Sequence, residues 1–169
     1  MEVRLAAPMQ KDSIIDGEGI RTVIWFQGCR HNCFGCHNPE THDFEGGIPY
    51  DTKELKKELK SFKYQQGITL SGGDPFFQAA GAAELAKYAH EIGLNVWTYT
   101  GYTYDELIKE NDSDKMELLK NTDVLVDGRF VLNKKSLNVR FRGSTNQRVI
   151  DVAKSLASNE VVLYYEDWW

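Results

Sequence analysis

Long apolar runs and an excess of basic residues are both missing from this sequence. No apolar segment approaches the roughly 20 residues that a membrane-spanning helix needs, and residues 1–4 do not form the start of a signal peptide. The 20 Lys and Arg are outnumbered by 25 Asp and Glu, giving a net charge of -5, which argues against a dedicated nucleic-acid binder. We therefore expect a cytoplasmic protein that binds neither membranes nor nucleic acid, with one domain over residues 1–169.

Cysteine is also scarce, and its distribution is the strongest signal in the chain. The three cysteines are Cys29, Cys33 and Cys36, and three thiolates in one short loop can converge on a single metal centre. An odd number at such tight spacing disfavours disulfides. Two metal centres fit this loop. One is a 4Fe-4S cluster, which usually has four cysteine ligands and would here keep one iron open for a substrate; the other is a closed Cys3His zinc site that includes His31 or His37.

β-branched and aromatic segments alternate with amphipathic ones along the chain. The predicted strands are a short edge strand within 2–7 and strands at 22–26, 68–71, 95–99, 124–126, 148–150 and 161–164. The predicted helices start at Asp51 or Thr52, cover 76–92, and include short pieces at 105–109 and 113–119. This alternation predicts an α/β fold with a mostly parallel sheet. A closed barrel needs about 200 to 250 residues, so we expect an open partial (β/α)6 barrel.

Four predicted turns directly follow predicted strands, and ligands bind at the carboxyl ends of parallel strands. These turns are the cysteine loop, Gly72–Pro75, Thr100–Tyr102 and Asp127–Gly128. Because such ends share one edge of a sheet, we expect the four turns to form one rim. Glycines without side chains, such as Gly72 and Gly73, let the main chain approach a ligand closely, although a glycine pair is also common in ordinary turns.

The residues around the cysteines resemble a known family. The spacing Cys29-x3-Cys33-x2-Cys36 is similar to the signature of the radical S-adenosylmethionine enzymes, and the segments 16–21, 26–29 and 36–41 look like those of activases of glycyl radical enzymes. Together with the short length, Gly72–Pro75 and Asn146–Arg148 look most like the activating proteins of anaerobic (class III) ribonucleotide reductases. The resemblance covers residues 16–148, with one departure: Gly35 precedes the last cysteine, where many relatives carry an aromatic residue.

The resemblance implies contacts to S-adenosylmethionine and to a substrate protein. It makes Cys29, Cys33 and Cys36 the ligands of a 4Fe-4S cluster, places the backbone of His37 near the adenine, and lets Gly72, Gly73 and Asp74 hold the amino group. By residue type, the hydroxyls of Thr98 and Thr100, the carboxylate of Asp127 and the guanidinium of Arg142 suit further contacts to the cofactor. The residues expected to face the substrate are Asp16, Gly17, Asn146 and Arg148. For each of these, the alternative is an ordinary residue of a turn, the core or the surface.

The implied reaction is the reductive cleavage of S-adenosylmethionine. A one-electron donor such as flavodoxin or ferredoxin would reduce the cluster, and a 5′-deoxyadenosyl radical would take a hydrogen atom from a glycine of the partner, an anaerobic ribonucleoside-triphosphate reductase. Two alternatives stay open: a radical enzyme with a small-molecule substrate, similar to 7-carboxy-7-deazaguanine synthase, and a non-catalytic Cys3His zinc adaptor.

The last six residues, 164–169, contain four aromatic side chains. Aromatic residues are enriched at protein interfaces, so this segment is a candidate contact to the partner protein. The alternative is that it closes one end of the core.

Overall fold

The structure is a computed structural model, and it describes residues 1–165. Its strands are β1 Glu2–Leu5, β2 Gln10–Ser13, β3 Arg21–Phe26, β4 Ile48–Asp51, β5 Gly67–Gly72, β6 Asn95–Tyr99, β7 Val124–Asp127 and β8 Arg148–Asp151. Its α-helices are α1 Thr52–Ser61, α2 Ala79–Glu91, α3 Tyr104–Glu110, α4 Ser113–Lys120 and α5 Val152–Ser158. Short 3-10 helices cover Pro39–Thr41, Pro75–Gln78 and Leu132–Lys134.

The eight strands form one mixed sheet in the order β4-β1-β3-β5-β6-β7-β8, with β2 paired to β3. Its centre is parallel: β3 pairs with β5, β5 with β6, and β6 with β7. The flanking strands β1, β2, β4 and β8 are antiparallel to their neighbours. The prediction of a mixed α/β fold with a mostly parallel central sheet is confirmed, and the carboxyl ends of β3, β5, β6 and β7 lie along one edge.

The helices pack on one face of the sheet. Successive strand residues point to opposite faces, and on the helical face Ile24, Leu70 and Leu125 are fully buried in a core that includes Leu59 of α1 and Leu85 of α2. The opposite face has a smaller cluster of Trp97, Val124, Val126 and Val149, covered by Phe141 and Tyr164. A ligand therefore has room on this second face, at the carboxyl edge of the parallel strands.

Local signals explain where the main helices begin and end. The carboxylate of Asp51 accepts a hydrogen bond from the amide of Lys53 and caps α1, as predicted. Gly93 follows α2 at φ 82°, a backbone conformation that favours glycine after a helix. The predicted helix at 76–92 is divided, because Asp74 caps a separate 3-10 turn at Pro75–Gln78 before α2 starts.

Several predicted elements were wrong or missed. Residues 161–164 do not form a strand: the amide of Val162 donates to the hydroxyl of Ser155, and only an isolated bridge joins Leu163 to Ile150. Strand β8 is antiparallel to β7, so it does not continue the parallel (β/α) pattern. The sequence prediction also missed β2, β4 and α5.

Two further expectations concern the whole chain. None of the helices within residues 1–165 is both long enough and apolar enough to cross a membrane. The proposed aromatic contact segment includes Trp168 and Trp169, which lie outside the described residues. Of its described part, Tyr164 packs against Trp97 with ring centroids 5.7 Å apart.

Candidate metal and cofactor site

The cysteine loop starts directly after β3 and is fixed at its base by backbone hydrogen bonds. The amide of Gly28 donates to the carbonyl of Thr41 at 2.6 Å, and the amide of Cys29 donates to the carbonyl of His42 at 3.2 Å. Gly28 has φ 107°, and a Cβ here would lie 2.6 Å from a ring carbon of Phe44. The turn therefore needs glycine for both its backbone angle and its close packing.

The three cysteines line one cavity of about 130 Å³. Gly72 and Gly73 from the turn after β5 and Thr100 from the turn after β6 line the same cavity. The expectation that these turns meet at one rim is thereby confirmed. Among residues 1–165, no three His, Cys, Asp or Glu side chains stand close enough to hold a single metal ion. A 4Fe-4S cluster makes a different demand, because each cysteine thiolate binds its own iron.

Two of the thiols are disfavoured as free anions. Burial raises the pKa of Cys29 to about 11, and burial also raises the pKa of Cys33. Iron centres bind thiolates and would stabilise the anionic form that burial disfavours. The donor set thus fits a cluster held by Cys29, Cys33 and Cys36.

A larger cavity of about 440 Å³ adjoins the cysteine cavity. Cys36, Tyr99, Phe130 and Gln147 line both, so a ligand in the larger cavity would touch the cysteine loop. Its volume lies within the range of small-molecule sites. Three residues predicted from the sequence also line it: Asp16, His37 and Arg142.

The wall of the larger cavity offers both aromatic and charged groups. The ring of His37 packs 4.9 Å from the ring of Phe130 at an interplanar angle of 51°, so two aromatic rings lie in the wall next to Cys36. Arg142 donates to the carbonyl of Gln147 at 3.1 Å, and burial lowers the pKa of its guanidinium. Asp16 accepts a hydrogen bond from Ser13 at 2.6 Å. The arrangement suits a ligand with an aromatic ring and charged ends.

The two glycines after β5 are required by close backbone packing. A Cβ on Gly72 would collide with the backbone of Phe26, and Gly72 has φ 99°. A Cβ on Gly73 would collide with the carbonyl of Gly28. The amide of Gly73 donates to Phe26, and that of Asp74 donates to Gly28, at 2.8 and 3.0 Å. The glycine pair therefore holds the turn against the base of the cysteine loop.

Other predicted residues lie outside both cavities, and most are paired with protein groups. Asp74 is fully buried and bonded to four protein donors. The hydroxyl of Thr98 faces the helical side, where it lies 2.9 Å from that of Thr122. Gly17 is packed against Trp97, since a Cβ would lie 2.9 Å from its ring. The roles predicted for these residues stay predictions.

The sequence predicts a contact to the cofactor for Asp127 and a contact to the substrate for Arg148. In the structure the two side chains pair with each other. The guanidinium of Arg148 donates to both carboxylate oxygens of Asp127, at 3.0 and 2.6 Å. Asp127 also accepts from the amide of Tyr104 at 2.8 Å, and Arg148 reaches Asp105 at 3.0 Å. Asn146 donates to the carbonyl of Arg129 at 2.9 Å. In this structure the pair joins β8, β7 and α3.

Comparison with known proteins decides the family. A family model described as "4Fe-4S single cluster domain" matches residues 15–150. An anaerobic ribonucleoside-triphosphate reductase-activating protein of Pasteurella multocida is 37% identical over 142 residues, covering 79% of this chain and 89% of that protein. The protein of the same name from Enterobacteria phage T4 is 32% identical over 143 residues, covering 80% and 86%. The chain belongs to the family of anaerobic ribonucleoside-triphosphate reductase-activating proteins.

A solved structure, "Crystal structure of QueE from Escherichia coli", is also similar to this chain. It has a TM-score of 0.49 and 13% sequence identity, and the match covers 60% of this chain and 54% of that one.

In this member of the activating-protein family, sequence reasoning missed several side chains at the rim, among them Tyr99, Gln147 and His31. Tyr99 and Gln147 line both cavities, and His31 lines the cysteine cavity. Strand alternation signals that Thr98 and Tyr99 face opposite sides, but β6 is covered on both faces, so the pattern does not say which one meets the ligand. His31 lies between two cysteines, and its partner Asp74 is 43 residues away in the sequence. The spacing of residues therefore does not predict this contact.

Proposed function

We propose that this protein activates an anaerobic ribonucleoside-triphosphate reductase by forming a glycyl radical on it. S-adenosylmethionine would be the source of the radical, and a reduced flavodoxin or ferredoxin would supply one electron for each cleavage. Cys29, Cys33 and Cys36 would hold a 4Fe-4S cluster, which would supply the chemistry for the one-electron cleavage of S-adenosylmethionine into methionine and a 5′-deoxyadenosyl radical. That radical would take a hydrogen atom from a glycine of the reductase, giving 5′-deoxyadenosine and the glycyl radical.

One observation carries the proposal: the cavity with the three thiols opens beside a cavity large enough for a nucleoside. Cys36 lines both, so a cofactor in the larger cavity would reach the metal ligands directly. The relatives are activating proteins by name, which supports the reductase as the partner.

The chain's own residues would bind, orient and shield. Cys29, Cys33 and Cys36 would hold three irons, leaving the fourth for the amino and carboxylate groups of S-adenosylmethionine. The rings of His37 and Phe130 would pack near the adenine, and Arg142 would face its charged end. The tasks left to the protein are orientation and exclusion of water.

We also infer that the sheet is curved into an open partial barrel. All five helices contribute to the core on one face, while the loops 14–20 and 129–147 stand over the other. Edge strands β4 and β8 lie at opposite ends of the sheet order, so the opening would lie between them. A polypeptide segment carrying the target glycine could enter there.

The test is an anaerobic activation assay. Purified protein reconstituted with iron and sulfide should be brown, give the electron paramagnetic resonance signal of a reduced 4Fe-4S cluster, and cleave S-adenosylmethionine. With the reductase present, a glycyl radical signal should appear. The Cys33→Ala variant should lose the intact cluster and both activities, because three thiolates leave no replacement ligand.

The outcomes against the proposal are specific. A colourless protein containing zinc would establish the adaptor alternative. A cluster-bearing protein that cleaves S-adenosylmethionine but never forms a glycyl radical on the reductase would instead point to a small-molecule substrate.

A further inference from the structure

His31 and Asp74 form a buried pair that joins the cysteine loop to the turns after β5 and β6. The imidazole Nε2 lies 2.6 Å from Asp74 Oδ2, and the two side chains are 5% and 0% exposed. Since a carboxylate only accepts hydrogen bonds, Nε2 is the donor. His31 stands between two of the three cysteines in the sequence. It is therefore the side chain through which this loop contacts Asp74.

Asp74 is held in place by three donors besides His31. Its Oδ2 accepts from the hydroxyl of Thr100 at 2.8 Å and from the amide of Gly101 at 3.0 Å. Its Oδ1 accepts from the amide of Phe76 at 2.9 Å. With the bond from His31, three donors hold Oδ2 and one holds Oδ1. Asp74 is thereby a fixed anchor for the imidazole.

The imidazole also fits a shaped space. Its ring centroid lies 4.7 Å from that of Tyr102 in an edge-on contact and 5.2 Å from that of Phe77. A Cβ on Gly101 would lie 2.5 Å from Cδ2 of His31. The turn after β6 therefore needs glycine at 101 in order to receive the imidazole.

We propose that His31 is a positioning residue, whose hydrogen bond to Asp74 fixes the cysteine loop at a set distance from the Gly72–Gly73 turn. Asp74 follows that turn directly, and Thr100 lines the cysteine cavity. The pair thus sets where the metal ligands stand relative to the cofactor cavity. We call this hydrogen bond from His31 to Asp74 the clamp. Its effect on S-adenosylmethionine binding rests on the proposed function, whereas its effect on the cysteine loop does not.

Four variants isolate the clamp. His31→Leu removes the donor and keeps an apolar side chain in the space, whereas His31→Gln retains an amide donor. Gly101→Ala pushes against the imidazole while both His31 and Asp74 keep their own side chains. His90→Leu is the matched control, because it breaks another His–Asp pair, to Asp123 at 2.7 Å, at the opposite, amino-terminal end of β7.

The first readout is amide hydrogen exchange in the metal-free protein. We expect faster exchange over residues 29–36 in His31→Leu and Gly101→Ala, near wild-type exchange in His31→Gln, and no change there in His90→Leu. Unchanged exchange in His31→Leu would overturn the proposal. So would a global loss of protection in that variant that His31→Gln fails to restore, since the role would then be general stability.

The second readout uses the reconstituted protein. In His31→Leu we expect S-adenosylmethionine to bind about tenfold more weakly, as for loss of a hydrogen bond to a charged group, with a smaller change of the cluster's paramagnetic signal on its addition. Wild-type binding with an intact cluster would overturn this step. If the wild-type protein itself failed to bind S-adenosylmethionine, the proposed function would fall, while the exchange result would still decide the clamp.

Discussion

Tyr99 is one of the side chains at the boundary of the two cavities. Its hydroxyl forms no hydrogen bond within the part of the chain that the structure describes. It lines both cavities, and burial, with the nearby charge of Asp16, raises the pKa of its phenol. The side chain therefore stays a neutral hydrogen-bond donor throughout the working pH range. It is suited to a polar atom of a ligand that lies across both cavities.

We expect Tyr99→Phe to weaken S-adenosylmethionine binding by up to about tenfold, the worth of one hydrogen bond. Iron content should not change, because the ring stays in place. Because the raised pKa keeps the phenol protonated, the ratio of wild-type to variant affinity should be constant from about pH 6 to about pH 9. Titration of binding with both proteins measures this. Tyr88→Phe, on helix α2, is the control, and equal effects of the two variants would contradict the assignment.

At this scale the sequence predicts the proximity of residues within one loop better than contacts between distant residues. Three cysteines share one loop, so their spacing alone predicts that they line one cavity. The partners of Asp74 and Asp127 come from distant elements, and a carboxylate after a strand looks the same whether it binds a ligand or a neighbouring side chain. Only the fold shows that the carboxylate of Asp127 accepts a hydrogen bond from Arg148 and that of Asp74 accepts one from His31.

Among the elements, we expect the turn after β5 to serve both cofactor binding and cluster binding. Its distance from the cysteines in the sequence predicts only the first. From sequence distance alone, Gly73→Val is expected to spare the cluster and weaken only cofactor binding. The structure places Gly73 against the carbonyls of Gly28 and Thr41, at the base of the cysteine loop. Any side chain there must move the metal-binding loop as well.

We therefore expect Gly73→Val to lose iron and S-adenosylmethionine binding together. The backbone atoms around Gly73 cannot yield as a flexible side chain would, so the loop base has to shift. Iron and sulfide per chain and equilibrium dialysis with the cofactor measure the two losses. Gly93→Ala is the control: a Cβ there meets nothing within 4 Å, so only stability should fall. Full iron content with lost cofactor binding in Gly73→Val would contradict this expectation, since the turn would then serve cofactor binding alone.

The errors in the predicted strands have separate physical causes. Ser155 of α5 accepts from the amide of Val162, which interrupts a strand that the apolar run 161–164 predicts. Strand β4 contains Pro49 and pairs only with β1, a position where proline is tolerated at a sheet edge. Propensity identified the buried central strands, where burial and pattern agree.

For the whole molecule, the proposed open partial barrel would leave the proposed reaction site exposed. A carbon-centred radical next to water would be quenched, so something has to cover the cavities during the reaction. Exposed apolar side chains lie in the loops 14–20 and 129–147: Ile14 and Ile15 are 69% and 76% exposed, and Leu137 is 93% exposed. Ile15 lines the larger cavity. A docked reductase would provide the cover.

The aromatic end of the chain is a candidate for part of that docking, and its test separates docking from folding. Trp168 and Trp169 lie outside the described residues, whereas Tyr164 packs on Trp97 and covers the smaller core cluster. We expect deletion of Trp168 and Trp169 to spare the cluster and the cleavage of S-adenosylmethionine without partner, and to reduce glycyl radical formation on the reductase. Spin quantitation per methionine released measures this coupling.

The comparison variant for this test is Tyr164→Ala. Loss of its ring from the small core cluster should lower stability by roughly 0.5–3 kcal/mol, and both activities should then decline together as the protein unfolds. The deletion behaves differently if docking is its role, because its melting temperature and uncoupled cleavage should match those of the wild type while coupling falls. If the deletion lowers the melting temperature as far as Tyr164→Ala does, with equal losses in both assays, the last residues contribute to the core and not to docking.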